Sequence, residues 1–292
     1  MSAKVLDGKA VAQAIRAALQ ADIAAVRQAR GTPPQLAIVT CTTEKSAEAY
    51  LRAKLKAASE TGLLARAYPC PEDAGPGGLD HLLKRLGEDA ACDGIIVEQP
   101  LPNGFDTAAA FSSVPPAKDM EGVNPLSYGL FFLCKSAAEI AGSGVFPPCT
   151  VSAMMALLKE TRLPAAGKEA VVVGRSKILG RPAAHYLSAL DATVTLCHSK
   201  TADLASHVKR ADILFTCLGR ANFVKGGWIK PGAAVIDAGM NRLGSAWVGD
   251  VEFAAAAERA AFITPVPGGV GPVTTAVVLA NTVHAAKRRL SA

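Results

Sequence analysis

Apolar residues along this chain recur with two periods, one typical of amphipathic helices and one typical of buried strands. In the N-terminal third, helical spacing predicts three helices, at residues 8–30, 44–60 and 79–88. Short apolar runs in the same region predict three strands, at residues 35–40, 63–68 and 95–97. Because strands alternate with helices, the pattern predicts a parallel sheet with helices packed against it.

The C-terminal half of the chain shows the same alternation. Apolar runs rich in β-branched residues predict five strands, at residues 170–173, 192–197, 213–217, 234–237 and 262–264. A helix is predicted at residues 150–161, and further helices lie between the earlier strands. Two segments are expected to lack regular structure: residues 103–148, which are loop-rich, and residues 265–274, which are rich in Gly and Pro.

We therefore predict an α/β protein of two domains. Residues 1–145 form an α/β substrate domain, and residues 146–274 form a doubly wound, Rossmann-type nucleotide-binding domain. The C-terminal helix, at residues 275–292, has no obvious place in the second domain. We expect it to pack back on the first.

A glycine-containing turn follows the strand that ends at Val173. Gly174 ends the strand, Arg175 and Ser176 follow, and Gly180 precedes a helical pattern. The free N–H groups and the helix dipole at such a turn point at one spot, which suits a phosphate. The spacing G-x-S-x-x-x-G differs from the G-x-G-x-x-G fingerprint, so the turn alone is also compatible with an ordinary strand–helix connection.

The end of the next strand bears on the choice of cofactor. The strand is followed by His198, Ser199, Lys200 and Thr201, with no Asp or Glu to hold the ribose 2′-hydroxyl of NAD. Hydroxyl and cationic groups here, together with Arg175, suit a 2′-phosphate, which an acid would repel. We therefore predict NADP rather than NAD, although Lys200 could equally be a solvated loop charge.

Composition narrows the class of protein. The chain has 292 residues, of which half are apolar and 19% charged, as in globular enzymes. The net charge of +6 is as consistent with an anionic small-molecule ligand as with nucleic acid. Aromatic residues make up only 5% of the chain and show no pattern for stacking on the bases of single-stranded nucleic acid. No apolar run approaches the length of a membrane span. We therefore expect neither a nucleic-acid nor a membrane partner.

The cysteines bear on compartment and metal binding. There are seven, scattered and without a C-x-x-C pair. This pattern argues against a disulfide framework and against a zinc site, and no other metal site is predicted. We expect a reducing, cytoplasmic location.

Several ionisable residues are candidates for catalysis. Tyr50 and Lys54 are four residues apart and share one face of the second helix, where they can place a cation, an acid or a base at a carbonyl or imine-like carbon. The same spacing is typical of a solvated helix face. Glu98 ends a predicted strand, at the edge where parallel sheets bind ligands. Asp119 and Glu121 alternate in a loop, a spacing also compatible with surface acids.

Taken together, the motifs resemble the FolD family, the NADP-dependent methylenetetrahydrofolate dehydrogenases that are usually also methenyltetrahydrofolate cyclohydrolases. The second half carries GKEAVVVGRSKILGRP, ATVTLCHSKTA, GGWIKPGAAVIDAGMNR, GDVEF and ITPVPGGVGPVTTAVVLANT. The first half carries SAEAYLRAK, DGIIVEQPLP and PPAKDMEG, with FPPCT at the junction. The resemblance covers essentially the whole chain. It implies a reduced folate as substrate and a homodimer formed through the second domain.

The resemblance also implies roles for individual residues. Lys54 would be the general acid/base of the cyclohydrolase step, and Tyr50 would pack on the pterin side of the substrate. Glu98 stands where the family places the partner of the lysine. The implied folate contacts are Tyr50, Glu98, Gln99, Asp119, Glu121, Pro267, Gly268 and Gly269. The implied NADP contacts are Gly174, Arg175, Ser176, Gly180, Ser199, Met240, Gly271 and Thr274.

The chain departs from the family pattern in its folate half. The family's VQLPLP is VEQPLP here, so the Gln beside the lysine is Glu98. The family's KDVDG is KDMEG, so the Asp that grips the pterin is Glu121, one methylene longer. A carboxylate beside Lys54 would favour its ammonium form and leave less neutral amine for base catalysis.

The predicted function is oxidation of 5,10-methylenetetrahydrofolate by NADP⁺, followed by hydrolysis of the methenyl product to 10-formyltetrahydrofolate, with the hydrolysis weakened by Glu98. One alternative is a dehydrogenase that has lost the hydrolytic step or takes another reduced pterin. A second alternative is a non-catalytic relative that binds NADP or folate.

Overall fold

The computed structural model describes residues 2–41, 45–70 and 75–290; the side chains of residues 45–47, 49 and 50 lie outside the description. Residue contacts divide the chain into two compact units. The three-stranded unit comprises Gln13–Phe131, Val145–Cys149 and the segment from Thr275 onward. The six-stranded unit comprises the segment up to Ala12, Phe132–Gly144 and Thr150–Thr274.

The three-stranded unit is built on a parallel sheet of order β3-β2-β4. Its strands are β2 (Gln35–Thr40), β3 (Leu64–Pro69) and β4 (Gly94–Val97). The central strand is buried from Leu36 to Val39, which explains its continuous apolar sequence. Val39 pairs with Tyr68 on one side and with Val97 on the other, so all three strands end at the same edge.

Helices cover this sheet as the periodicity predicts. The N-terminal helices are α1 (Gly8–Ala18), α2 (Gln20–Arg30), α3 (Lys45–Thr61) and α4 (Gly75–Glu88). In α4 the buried residues Leu79, Leu82, Leu83 and Leu86 follow the spacing of one helical face. The prediction of a single helix over 8–30 is wrong, because the Leu19 N–H bonds to the Arg16 carbonyl three residues back and ends the first helix.

The segment predicted as loop-rich, residues 103–148, contains three α-helices, α5 (Thr107–Ser113), α6 (Pro125–Leu133) and α7 (Ala137–Gly142), and one turn of 3-10 helix at Pro116–Lys118. Side-chain caps explain two of them. Asp106 accepts the Ala108 N–H at 2.8 Å, and Ser136 accepts the Glu139 N–H at 3.2 Å. The many prolines of the segment concealed these starts.

The six-stranded unit contains a parallel sheet of order β1-β11-β8-β7-β5-β6. Its strands are β1 (Lys4–Val5), β5 (Glu169–Val173), β6 (Thr193–Cys197), β7 (Ile213–Thr216), β8 (Ala234–Asp237) and β11 (Phe262–Ile263). Its helices are α8 (Cys149–Glu160), α9 (Gly180–Ala189), α10 (Leu204–Arg210) and α11 (Phe253–Ala257). From β5 the chain runs first to β6 and then back to β7 on the other side of β5. This doubly wound topology confirms the predicted fold class and creates a switch point between β5 and β7.

Two features of this unit differ from the prediction. The first is β1, which joins the N-terminal residues to the six-stranded sheet by pairing Val5 with Ile263; a two-residue strand carries no pattern to recognise. The second is a hairpin of β9 (Asn241–Leu243) and β10 (Ala246–Val248), which was not predicted.

The last helix, α12 (Val270–Leu290), begins five residues before its predicted start, so residues 270–274 are helical. Its C-terminal part packs within the three-stranded unit, as predicted. Asn281 donates to the Met120 carbonyl at 2.9 Å. Arg289 and Arg30 both bind the carboxylate of Asp93, which is fully buried. None of the described helices is long and apolar enough to cross a membrane.

Candidate active site

The carboxyl edge of the three-stranded sheet brings together the first group of candidate residues. Glu98 directly follows β4, and its N–H continues the ladder by donating to the Val39 carbonyl at 2.9 Å. Lys54, from α3, places its Nζ 2.5 Å from Glu98 Oε1. The two side chains are only 19% and 10% exposed. The structure thus makes the lysine and the unexpected carboxylate a close, largely desolvated ion pair.

Glu121 joins this pair from a neighbouring loop. The loop runs beside β4, with Asp119 bridged to Ile95 and the Met120 N–H directed at the Ile95 carbonyl. This arrangement lets Glu121 Oε2 accept the Val97 N–H at 3.1 Å. Burial raises the pKa of Glu121 to about 7, against the opposing effects of the Val97 N–H and of Lys54. Glu121 therefore exchanges its proton near neutral pH.

Asp119 has a different environment from the one predicted. It is 3% exposed, and its carboxylate accepts the N–H groups of Gly122 at 2.9 Å and Asn124 at 2.8 Å. Burial raises its pKa, against these hydrogen bonds. Lys118, in the same motif, is tied to the carbonyls of Leu86 and Asp89. The described contacts of Asp119 therefore shape the loop that carries Glu121.

Two other predicted folate contacts lie near this edge in sequence. The backbone of Tyr50 belongs to α3, one turn before Lys54, but its side chain lies outside the described residues. Gln99 is exposed and precedes a cis peptide bond to Pro100.

The glycine turn after β5 has the geometry of a phosphate-binding turn. Gly174 has a φ of +126°, and a Cβ there would lie 2.6 Å from the Cys217 carbonyl oxygen. A Cβ at Gly180 would lie 1.9 Å from the Gly174 carbonyl oxygen, so neither glycine can be replaced without a shift. Ser176 Oγ accepts the Leu179 and Gly180 N–H groups at 3.2 and 3.3 Å. Its own proton remains available as a donor to a ligand.

The turn after β6 leaves the same edge of the sheet, because Val173 pairs with Cys197. Arg175 and Ser199 each stand two residues beyond this pair, and both are exposed. Thr201 shapes the turn by accepting the His198 N–H at 2.8 Å. The nearest acid that follows, Asp203, caps α10 by accepting the Ser206 N–H at 3.3 Å. The edge therefore offers a cation and a hydroxyl.

The remaining predicted contacts come from the segment that precedes and begins α12. Pro267 is exposed, Gly268 has a φ of +102°, and its carbonyl accepts the Gly8 N–H at 2.9 Å. Gly269 is packed so closely that a Cβ would lie 2.5 Å from the Pro265 carbonyl oxygen. Gly8 was not predicted from the sequence. Its role is to pack against the Gly268 and Gly269 backbone, and this contact depends on a segment distant in sequence.

Met240 and the first turn of α12 lie together in the six-stranded unit. Met240 is 41% exposed, and its Cε lies 3.9 Å from the Cβ position of Gly271. Thr274 is half-buried and directs its hydroxyl at the Val270 carbonyl, 3.1 Å away. This hydroxyl therefore has a partner inside its own helix.

Two buried carboxylates of the six-stranded unit were not identified as candidates. Asp237 ends β8 and accepts the Thr216 hydroxyl at 2.8 Å and the Val251 N–H at 2.9 Å. Burial, with the nearby charge of Asp250, raises the pKa of Asp237 to about 6. The only signal for Asp250 in the sequence was its place in the GDVEF motif. Among the described residues, no group of three or more His, Cys, Asp or Glu side chains could hold a metal ion.

Family models match two long stretches of the chain. The model described as tetrahydrofolate dehydrogenase/cyclohydrolase, catalytic domain, matches residues 6–121. The model described as tetrahydrofolate dehydrogenase/cyclohydrolase, NAD(P)-binding domain, matches residues 148–290.

Individual proteins are similar over nearly the whole length. The bifunctional protein FolD of Geotalea uraniireducens is 44% identical over 288 residues, covering 98% of this chain and 100% of the relative. Bifunctional protein FolD 2 of Myxococcus xanthus is 46% identical over 291 residues, covering 99% and 97%. The crystal structure of the Trypanosoma brucei methylenetetrahydrofolate dehydrogenase-cyclohydrolase, complexed with NADP cofactor and inhibitor, matches with a TM-score of 0.93 at 39% identity, covering 100% of both chains.

Proposed function

The chain belongs to the tetrahydrofolate dehydrogenase/cyclohydrolase family, and on this premise we propose which of its residues carry the two reactions. It is a bifunctional, NADP-dependent enzyme of one-carbon folate chemistry, as the sequence predicted. The first reaction removes a hydride from the methylene carbon of 5,10-methylenetetrahydrofolate. The second adds water to the resulting methenyl carbon and opens the ring to give 10-formyltetrahydrofolate.

The NADP site is proposed at the carboxyl edge of β5 and β6. The close approach at Gly174 and Gly180 leaves room for backbone alone, as a phosphate-binding turn requires. Arg175 and Ser199, which each stand two residues beyond the Val173–Cys197 pair, would bind the 2′-phosphate, and the proton of Ser176 would reach the diphosphate. When bound, the nicotinamide supplies the hydride acceptor, while these residues bind and orient the cofactor.

The folate site is proposed at the carboxyl edge of the three-stranded sheet. Glu121 would hold the polar edge of the pterin, and Lys54 would move the proton of the attacking water in the hydrolytic step. Asp119 would act indirectly, by shaping the loop of Glu121. Tyr50 and Gln99 are proposed as further contacts on the strength of the family resemblance alone.

One observation supports a difference in rate between the two reactions. Glu98 Oε1 lies 2.5 Å from Lys54 Nζ in surroundings that exclude most water. In this contact the Lys54 Nζ, the atom proposed to move the proton of the attacking water, donates a hydrogen bond to a carboxylate. Hydride transfer needs no proton from Lys54. We therefore propose a brisk dehydrogenase with a weak cyclohydrolase.

The same contact supports a second candidate, a dehydrogenase that has lost hydrolysis or takes another reduced pterin. Two assays on the purified chain separate the candidates: NADPH formation from methylenetetrahydrofolate, and decay of methenyltetrahydrofolate without cofactor. Slow but enzyme-dependent decay supports the first candidate, and no decay above buffer supports the second. Failure to reduce NADP⁺ with methylenetetrahydrofolate would refute the first candidate and would leave, of the second, only an enzyme for another reduced pterin.

Assembly and location are proposed separately. The family resemblance supports a homodimer through the six-stranded unit, which sedimentation analysis would test. The scattered, odd number of cysteines supports a cytoplasmic location, which imaging of a tagged chain would test.

A further inference from the structure

The six-stranded unit contains a buried carboxylate that the reactions above do not use. Asp250 follows β10 and is fully buried. Its Oδ2 accepts the N–H groups of Leu218 at 2.5 Å and Gly219 at 3.3 Å. Its Oδ1 accepts the Arg220 N–H at 2.8 Å and the Asn241 side-chain amide at 2.9 Å. Three consecutive backbone N–H groups thus converge on one internal anion, in the manner of an anion-binding nest.

The loop that Asp250 holds, residues 218–220, lies at the switch point of the sheet. It follows β7, whose Thr216 pairs with Val173 of β5. The residue between strand and loop, Cys217, is the one whose carbonyl oxygen approaches the Cβ position of Gly174. Ligands of doubly wound sheets bind outside the carboxyl ends of the strands at this point. The loop therefore borders the site proposed for NADP.

We infer that Asp250 is a positioning residue for NADP, because it fixes loop 218–220 and ties it to Asn241, next to Met240. This inference rests on the proposed function, since it assumes a dinucleotide at this edge. The three N–H groups point at Asp250 and are not available to cofactor phosphates. Phosphate binding is thereby left to the turn after β5.

Replacing Asp250 with Asn keeps the size of the side chain but disrupts the hydrogen bonds that it accepts. Four donors face the Asp250 carboxylate, two on each oxygen. An amide has one accepting oxygen, so in either orientation its NH₂ group faces two donors. The loop has to move to relieve this conflict.

The test is steady-state kinetics of Asp250→Asn in the full-length enzyme, with cyclohydrolase activity measured without NADP as an internal readout. We expect the KM for NADP⁺ to rise about tenfold, as for loss of one hydrogen bond to a charged group. The KM for the folate and the cyclohydrolase rate should stay within about twofold of wild type.

Asp212→Asn is the matched control. Asp212 stands at the opposite edge of the same sheet, where it accepts the Glu169 N–H at 3.1 Å and binds Lys230 at 2.6 Å. The chemical change is the same, but the KM for NADP⁺ should not move.

A second variant covers the case in which Asp250→Asn does not fold. Gly219 has a φ of +67° and open space at its Cβ position, so Gly219→Ala strains the same loop without touching Asp250. It should also raise the KM for NADP⁺ and spare the cyclohydrolase.

The outcomes separate this inference from the proposed function. An unchanged KM for NADP⁺ in both loop variants, or an equal loss of both activities, would overturn the inference while the wild type still oxidises folate. A wild type without either activity would refute the proposed function. NADP⁺ affinity measured by calorimetry in the same proteins would then still decide the role of Asp250.

Discussion

Glu121→Gln should remove a pH dependence from the stability of the protein. Burial raises the pKa of Glu121 from 4.5 to about 7 in the folded chain. Between these values the folded state holds a proton that the unfolded state has lost. Folding therefore becomes less favourable as the pH rises from about 4.5 to about 7, and the loss is complete above that range. Gln cannot titrate, and its amide oxygen can still accept the Val97 N–H.

The size of this effect follows from the two pKa values. Their difference of about 2.5, at about 1.4 kcal/mol for each pKa unit, corresponds to about 3 kcal/mol. Because the side chain is only half-buried, solvent screening reduces the figure, and we expect about 2 kcal/mol. The free energy of unfolding of Glu121→Gln should thus exceed that of wild type by this amount at about pH 8 and equal it at about pH 4.

The assay is chemical unfolding of both proteins across this pH range. The difference between the two curves isolates Glu121, because other groups such as Asp237 titrate equally in both. Glu60→Gln, an exposed glutamate of α3, is the control and should follow wild type. Parallel curves for wild type and Glu121→Gln would refute the assigned pKa. The same substitution should also raise the KM for the folate, and an unchanged KM would show that the pterin is held elsewhere.

Three further predictions concern other parts of the molecule. Glu98→Gln should raise the ratio of cyclohydrolase to dehydrogenase activity about tenfold, since it removes the charge-assisted contact that engages Lys54 Nζ; a fall in hydrolysis would show that the carboxylate assists it. Arg175→Ala should weaken the binding of NADP⁺ by about 1.5 kcal/mol and the binding of NAD⁺ far less. Equal losses for the two cofactors in binding titrations would contradict the phosphate contact. Asp93→Asn should lower the free energy of unfolding by about 3 kcal/mol because two arginines lose their buried anion; denaturant unfolding measures this, and a loss below about 1 kcal/mol would contradict it.

Among the site residues, those in local motifs were accessible from the sequence. Gly174 and Gly180 were found because a strand, a glycine turn and a helix follow each other directly in the chain. Lys54 and Glu98 were named as candidates from helix spacing and a strand end, and again through the family motifs. Their separation of 2.5 Å was not predicted, because they stand 44 positions apart in the sequence. Asp119 was named as a folate contact through a motif, but the hydrogen bonds that its carboxylate accepts from Gly122 and Asn124 were not foreseen, because a motif does not show which way a side chain points.

The sequence by itself determined the doubly wound fold, the choice of NADP and the family, because periodicity and contiguous motifs are local properties of a chain. The tertiary structure decided which groups meet. It made β1 part of the six-stranded sheet, raised the pKa of Glu121 by burial, and closed the loop 218–220 around Asp250. Each of these depends on segments distant in sequence, because desolvation and hydrogen bonding are set by what packs around a group.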